Sequence, residues 1–415
     1  MTSEKEGKTK SKYDVIVLGG GAAGLMSALT AGQQGKRVLV IEVSNKLGKK
    51  ILMSGGGKCN FTNLDIQASN FICDNPHFVK SALSQYTQWD FIDVVKKHNI
   101  SYTEKSHGQL FCDRSAGDIL KMLTSECDAV GVEVLLNGEI DEVILPLASQ
   151  AEEDTERSIR VSGNVGGFRC RNLVVATGGL SIPTLGGATG YGYELARQSG
   201  LSVSNVDASL VPMTLTGKWH DLSHALSGVA VPVVVSVNAN AFRESMLFTH
   251  RGLSGPSILQ LSNYWHLGEK ISIDLMPSTS CEEMLLNLKS TNARKTISSA
   301  LSEGLPRSLV QALTPYWWPE YENTPIQEIR NSTLSRIAEQ VHNWELVPSG
   351  TEGYRTAEVT RGGVDVDQIS SKTMEVKHIP GLFFVGEALG VTGHLGGYNF
   401  QWAWSSGFVA GMNVS

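Results

Sequence analysis

The sequence predicts an α/β protein: a discontinuous Rossmann-like domain shaped for a dinucleotide, split by an inserted β-barrel-like plus helical domain. Three observations predict it. Residues Tyr13 to Glu42 read as strand, tight glycine turn, helix and second strand. Two later apolar stretches, Leu173 to Gly179 and Pro380 to Glu387, read as strands ending on small residues. The chain between them has a different texture.

The totals agree with more than one domain, because single cores stop growing beyond roughly 250–300 residues and this chain has 415. Only 18% of residues are charged, yet no uninterrupted apolar run reaches the ~18 positions of a membrane span, so a soluble protein without a membrane partner is expected. Residues 1–12 are polar and lysine-rich, without the apolar core of a secretory signal, and are expected as a frayed tail in the cytoplasm. The six cysteines, Cys59, Cys73, Cys112, Cys127, Cys170 and Cys281, form no CxxC pair and no Cys/His cluster; neither a disulfide framework nor a metal site is expected. A formal charge of -6 gives no global attraction to nucleic acid or anionic lipid, although a local basic patch is compatible with it.

In the first unit, Asp14-Val15-Ile16-Val17-Leu18 is a β-branched run of strand length. Gly19-Gly20-Gly21-Ala22-Ala23-Gly24 follows, then a small-residue helical stretch to about Gln34; Gly35 ends it, and residues 37–41 form a second strand closing on Glu42. Gly19 permits the turn, Gly21 leaves room for a pyrophosphate against the main chain, and Gly24 lets the helix pack on the strand. Free N–H groups and the dipole at the helix start, around Ala22 and Ala23, stabilise the phosphates. Glu42, about twenty residues on, is placed to accept hydrogen bonds from a ribose diol. The alternative is an ordinary strand-to-helix turn, which lacks a reason for the acid.

The turn alone does not separate FAD from NAD. Val174 to Ala176 is a buried strand ending in Thr177-Gly178-Gly179, and Leu382 to Val385 is another ending in Gly386-Glu387. FAD is long enough to need all three elements, so the split domain is expected to be FAD-binding. A closing helix beginning near Gly397-Tyr398-Asn399 would then aim its N-terminus at the flavin N1/O2 edge, where negative charge collects on reduction. No second complete G-x-G-x-x-G follows a strand, so NAD(P)H, the expected electron donor, docks without a domain of its own.

Lys50 to Asn63 holds three successive glycines, Gly55, Gly56 and Gly57, between Ser54 and Lys58-Cys59-Asn60. Such a backbone can lie against a planar or phosphorylated ligand, with Lys50, Ser54, Cys59 and Asn60 supplying polar contacts. A flexible surface loop is the alternative.

These segments, with Leu247 to Pro256 and Gly396 to Gly407, resemble the BaiN/RdsA family of YhiN-like flavoproteins over nearly the whole chain. The segments Asn75 to Phe78, Tyr86 to Phe91 and Gly108 to Asp113 resemble its YhiN branch most. The resemblance implies noncovalent FAD and reduction of a carbon–carbon double bond: in bile-acid derivatives for one branch, in a uridine of large-subunit ribosomal RNA for the YhiN branch. Ile140 is counted with the expected cofactor contacts. One departure stands out: the family usually carries an acid after the Gly-Glu pair, where this chain runs Ala388 to Gly393, so no role of that acid passes to Gly390.

The expected cofactor domain comprises residues 13–202 and 357–415, with Glu152 to Arg171 an exposed acidic loop and return strand. The insertion, 203–356, is strand-like over about 203–279, where Val229 to Val237 runs into an Asn238-Ala239-Asn240 hairpin turn. It is helical over about 280–345, where Arg294, Lys295, Arg307, Arg330 and Arg336 interleave with Trp317, Trp318 and Trp344. Two readings stand: phosphate neutralisation and base stacking on RNA, or core tryptophans beneath a solvated cationic face.

Hydride delivery from flavin N5 to an activated alkene requires an acid to protonate the neighbouring carbon. Cys112, in what reads as a short loop, is the first candidate, because a thiol is a competent acid near neutral pH; an inert buried thiol is the alternative. His394 and Tyr398 beside the closing helix are the others, and His250 with Arg251 could orient substrate. Two function classes follow. One is an enzyme reducing a conjugated C=C, in ribosomal RNA or in a small-molecule enone. The other is a flavin-bearing binding or redox-sensing protein.

Overall fold

A computed structural model describes residues 9–146, 158–291 and 294–415. The chain forms two compact units, one of residues up to Asp207 together with Val359–Ser415, the other Ala208–Glu358. The stretch 203–207, expected in the insertion, belongs to the first unit: Ser204 N donates to Gly363 O at 2.9 Å and Val203 bridges to Val364. Residues 1–8 of the expected tail, and Glu152 to Glu156 with Arg157 of the expected acidic loop, lie outside the described residues. Residues 9–12 of that tail open a strand, Thr9–Leu18, that pairs with Gly166–Val175.

The first unit is built on a seven-stranded sheet. Its order is Glu133–Leu136, Val38–Glu42, Thr9–Leu18, Gly166–Val175, Ile159–Gly163 and Ile140–Ile144, and Leu382–Phe384 also pairs with Gly166–Val175. The central strands run parallel and are buried on both faces, which is why they read as continuous apolar runs rather than alternating ones. Ile140–Ile144 and Ile159–Gly163 attach antiparallel. The first helix, Ala22–Gln33, has ten buried residues and little amphipathicity because it is covered on both sides. Its outer cover is the closing helix, Tyr398–Asn413, which approaches through two glycines one turn apart. A Cβ at Gly407 would lie 2.5 Å from Ala23 O, and one at Gly411 would lie 2.7 Å from Ser27 O. Only glycine lets the two backbones come so close.

The second unit carries a seven-stranded antiparallel sheet, ordered Trp344–Leu346, Ile271–Asp274, Ala230–Val237, Asn240–Phe248, Gly252–Ser254, Met213–Thr214 and Gly350–Thr351. Its end strands do not pair with one another among the described residues, so the part expected as barrel-like is an open sheet. Asn238, at φ 51°, makes the expected tight hairpin between Val237 and Asn240. Helices Cys281–Thr291, Ile297–Leu301, Arg307–Trp317 and Asn331–His342 bury Leu285, Leu301, Leu313 and Ile337 in this unit's core. Trp317, Trp318 and Trp344 belong to that core, so the stacking reading of these three rings is overturned; Arg294, Arg307, Arg330 and Arg336 are the solvated face. Among the described residues no helix is long and apolar enough to cross a membrane.

Candidate dinucleotide site

Leu18 and Val175 are in register, which sets Gly19 beside Ala176 at the ends of two parallel strands. Gly19 turns at φ 103°, and a Cβ on it would fall 2.4 Å from Ala176 O. A Cβ on Gly24 would fall 1.9 Å from Gly19 O, so the first turn of the helix rests directly on the loop. Gly21 is different: no atom lies within 4 Å of where its Cβ would be. It caps the helix without a side-chain hydrogen bond, and the first turn carries no acid. The turn therefore borders open space at Gly21, at the start of a helix whose first N–H groups have no capping side chain, an arrangement that fits a pyrophosphate.

Glu42 closes the turn from beneath. Its buried carboxylate accepts Gly20 N–H at 2.6 Å and Ser44 N–H at 2.8 Å, one on each oxygen, leaving further lone pairs for a ribose diol. Asn137 and Gly138 donate backbone N–H groups to Ser44 O and Glu42 O, which brings the strand start at Ile140 to this end of the site.

The remote elements meet at Glu387. Its carboxylate pairs with Lys50 Nζ at 2.7 Å and accepts Ser181 Oγ at 3.0 Å and Thr360 N at 2.8 Å. Lys50 also donates to Ser181 Oγ at 2.6 Å. Gly179 fits between them because a Cβ would lie 2.4 Å from Thr360 Oγ1, and Gly386 fits because a Cβ would lie 2.8 Å from Ala23 Cβ. Gly178 stays open at φ 72°. The buried Thr177 hydroxyl has no hydrogen-bond partner among the described residues, which fits a polar ligand group beside this strand end.

The three-glycine segment belongs to a helix, Lys49–Gly57, that unwinds at Ser54. Gly55, Gly56 and Gly57 then turn left-handed at φ 56°, 64° and 84°. Gly56 and Gly57 border open space, whereas Gly55 packs on the Phe111 ring. Cys59, left-handed at φ 48° and buried, has its thiol pushed up to about 12 by burial. The Asn60 amide joins this segment to the closing helix: with nitrogen toward Thr62 O and Leu110 O, its oxygen accepts Gly397 N–H at 3.0 Å. Asn399 clamps the preceding turn, accepting Gly393 N–H at 2.8 Å and donating to Gly393 O at 2.9 Å.

The three proton-donor candidates separate. Cys112 ends a strand, Gln109–Cys112, rather than a loop; it is 1% exposed in the core, and burial pushes its thiol up to about 12. That corrects the expectation of a reachable thiol acidic near neutral pH. His394 is pushed down to about 4 by burial and is neutral at physiological pH. Tyr398, the first residue of the closing helix, is raised by burial and keeps its proton. The two rings meet edge to face with centroids 6.1 Å apart. His250 and Arg251 are exposed in a turn of the second unit, whose Thr249 Oγ1 accepts Arg251 N–H at 3.3 Å.

Sequence reasoning missed Ser181 and Thr360, which hold Glu387, and Thr62 and Gln401, joined at 2.7 Å in the core beneath Asn60. Ser181 follows the Gly178-Gly179 pair closely enough to have been found; Thr360 has no local signal. At Gly390, where the family usually carries an acid, a Cβ would press within 3.3 Å of Val364 O.

Fold and site together define a Rossmann-type dinucleotide-binding protein. The HI0933-like protein Rossmann domain family matches residues 13–413, and the chain belongs to it. The chain is 45% identical to a ribosomal RNA dihydrouridine synthase of Escherichia coli K12, the match covering 97% of this chain and 98% of the relative. It is 46% identical to one of Haemophilus influenzae, covering 96% and 98%. It is 27% identical to a 3-dehydro-bile acid delta(4,6)-reductase of Clostridium scindens, covering 95% and 97%.

Proposed function

We propose that the chain is an FAD-dependent oxidoreductase that reduces a uridine of large-subunit ribosomal RNA to dihydrouridine, with NAD(P)H as electron donor. The observation that carries this reading is the near full-length similarity, at 45% and 46% identity, to two ribosomal RNA dihydrouridine synthases.

Gly21, Ala22, Ala23 and Gly24 would bind the pyrophosphate, Glu42 the ribose, and Gly178 and Gly386 would border the chain of the cofactor. Gly56, Gly57, Gly397 and Asn399 would hold the ring end. Bound FAD supplies two electrons as a hydride. The substrate alkene then needs one proton on the adjacent carbon, and Tyr398 is the residue we assign to hold it, because its hydroxyl is protonated throughout the physiological range. Neutral His394 beside it orients the phenol without competing as a cation. The atoms balance: NAD(P)H and one proton are consumed for each C=C reduced.

A second reading, reduction of a small enone, draws on the similarity to the bile-acid reductase, at lower identity. Nucleoside mass spectrometry of ribosomal RNA from a strain lacking the gene distinguishes the two. The loss of a dihydrouridine, restored by the purified protein with NADPH or NADH, is expected. Unchanged dihydrouridine content overturns the RNA reading. Failure of either nicotinamide to bleach the bound flavin anaerobically overturns the enzyme reading with that donor.

A further inference from the structure

The second unit presents a cationic and aromatic face that the dinucleotide site does not use. Its helix Gly217–Ala225 carries Lys218, whose ammonium sits 4.7 Å from the Trp219 ring centroid and 5.7 Å from that of Tyr316. The two rings stand 5.6 Å apart, and Tyr316 is 40% exposed, unlike the three core tryptophans of the same unit. On the next turn of the helix, His224 lies 6.2 Å from the His220 ring.

The same helix is tied to the exposed turn that carries His250 and Arg251. Buried Ser223 donates to Thr249 O at 2.8 Å and to Gly252 O at 2.6 Å, and Leu215 N donates to Arg251 O at 3.0 Å. Two separate sequence segments are thus tied together: the helix carries exposed Lys218 and exposed Asp221, the latter 3.3 Å from His220, and the turn carries exposed Arg251.

We propose that this face binds single-stranded RNA, with Lys218 and Arg251 on phosphates and Tyr316 as a stacking platform. The proposal rests on the RNA reading of the function. Three physical arguments favour RNA here. Phosphate affinity comes from exposed cations. A base stacks on an exposed aromatic irrespective of sequence. The Lys218 ammonium, within 6 Å of both ring centroids, sets a cation and an aromatic surface side by side. A chain with a formal charge of -6 gains nothing from global attraction, so a local patch must supply the contact.

The test uses the full flavin-bearing protein and a fluorescein-labelled 20-nucleotide single-stranded RNA of mixed sequence, with anisotropy measured across a salt series. Lys218→Glu and Tyr316→Ala are compared with wild type, and the flavin spectrum and Tm report that each variant is folded. Tyr316→Ala is expected to weaken binding on the order of 5- to 100-fold. Lys218→Glu is expected to weaken it and to lower the salt slope by about 0.7 for each phosphate no longer neutralised, while Lys218→Arg retains it. Folded Lys218→Glu and Tyr316→Ala proteins that bind this RNA as tightly as wild type overturn the proposal while leaving the RNA reading intact; an acidic protein partner is then what the face fits. Wild-type protein that neither binds RNA nor forms dihydrouridine overturns the underlying reading instead.

Discussion

The Lys50 ammonium lies 2.7 Å from the Glu387 carboxylate, joining residues 337 positions apart across the strand ends of the first unit. Ser181 and Thr360 complete the contact, so four separate stretches of chain are held at one point. Glu387→Ala removes this anchor and leaves Lys50 with one of its two partners. It is expected to cost on the order of 1–3 kcal/mol and to release FAD. Flavin retained after gel filtration, together with the denaturant midpoint, reads both effects; full retention at an unchanged midpoint contradicts the assignment.

Gly21 and Gly24 make a paired experiment. Gly24→Ala forces a Cβ to within 1.9 Å of Gly19 O and is expected to destabilise the apoprotein by about 1–3 kcal/mol. Gly21→Ala meets no protein atom within 4 Å, so the apoprotein should melt within about 0.5 kcal/mol of wild type while losing FAD affinity. Equal behaviour of the two variants in both assays would refute the division between a packing glycine and a ligand-facing one.

Tyr398→Phe keeps the ring and removes the proton. Turnover is expected to fall about 10²- to 10⁴-fold, with reduction of the flavin by NAD(P)H left near wild type. Since burial raises the phenol, the wild-type rate should decline only above the ordinary tyrosine range. Cys112→Ala, by contrast, should retain turnover. Rapid-mixing measurement of the two half-reactions separates these outcomes, and a Tyr398→Phe protein with normal turnover removes Tyr398 from the chemistry.

His394 predicts a stability profile. Its folded value is depressed to about 4 against an ordinary 6.5, so between those limits the unfolded chain takes up a proton that the folded one refuses. The contribution is present above 6.5 and is lost as pH falls toward about 4. Tm measured across that window should fall less steeply in His394→Asn than in wild type; parallel profiles would show that burial of this imidazole is not what drives the loss.

Much of the site was legible where its logic is local. Gly19, Gly21, Gly24 and Glu42 could be read because a strand, a tight turn and a helix start within a few residues impose their own stereochemistry. Cys112 was misread because its strand is four residues long and exists only through pairing with Asn60–Asn63 and Tyr102–Glu104, partners that no local pattern announces. The tryptophans of the second unit were ambiguous for a related reason. Interleaved rings and cations look alike in sequence whether the rings face a sheet or solvent. Burial of Trp317 on one face of Arg307–Trp317, with Tyr316 left outside, decided between them.

By itself the sequence determined the parallel βαβ unit, its dinucleotide-shaped turn and the split of the domain around an insertion, because apolar periodicity and glycine stereochemistry act over neighbouring residues. Only the tertiary structure decided which distant side chains meet. The Lys50–Glu387 pair, the Asn60 link to Gly397 and the tie from Ser223 to the turn that carries His250 and Arg251 each depend on backbone register and close helix packing, which place residues by distance in space.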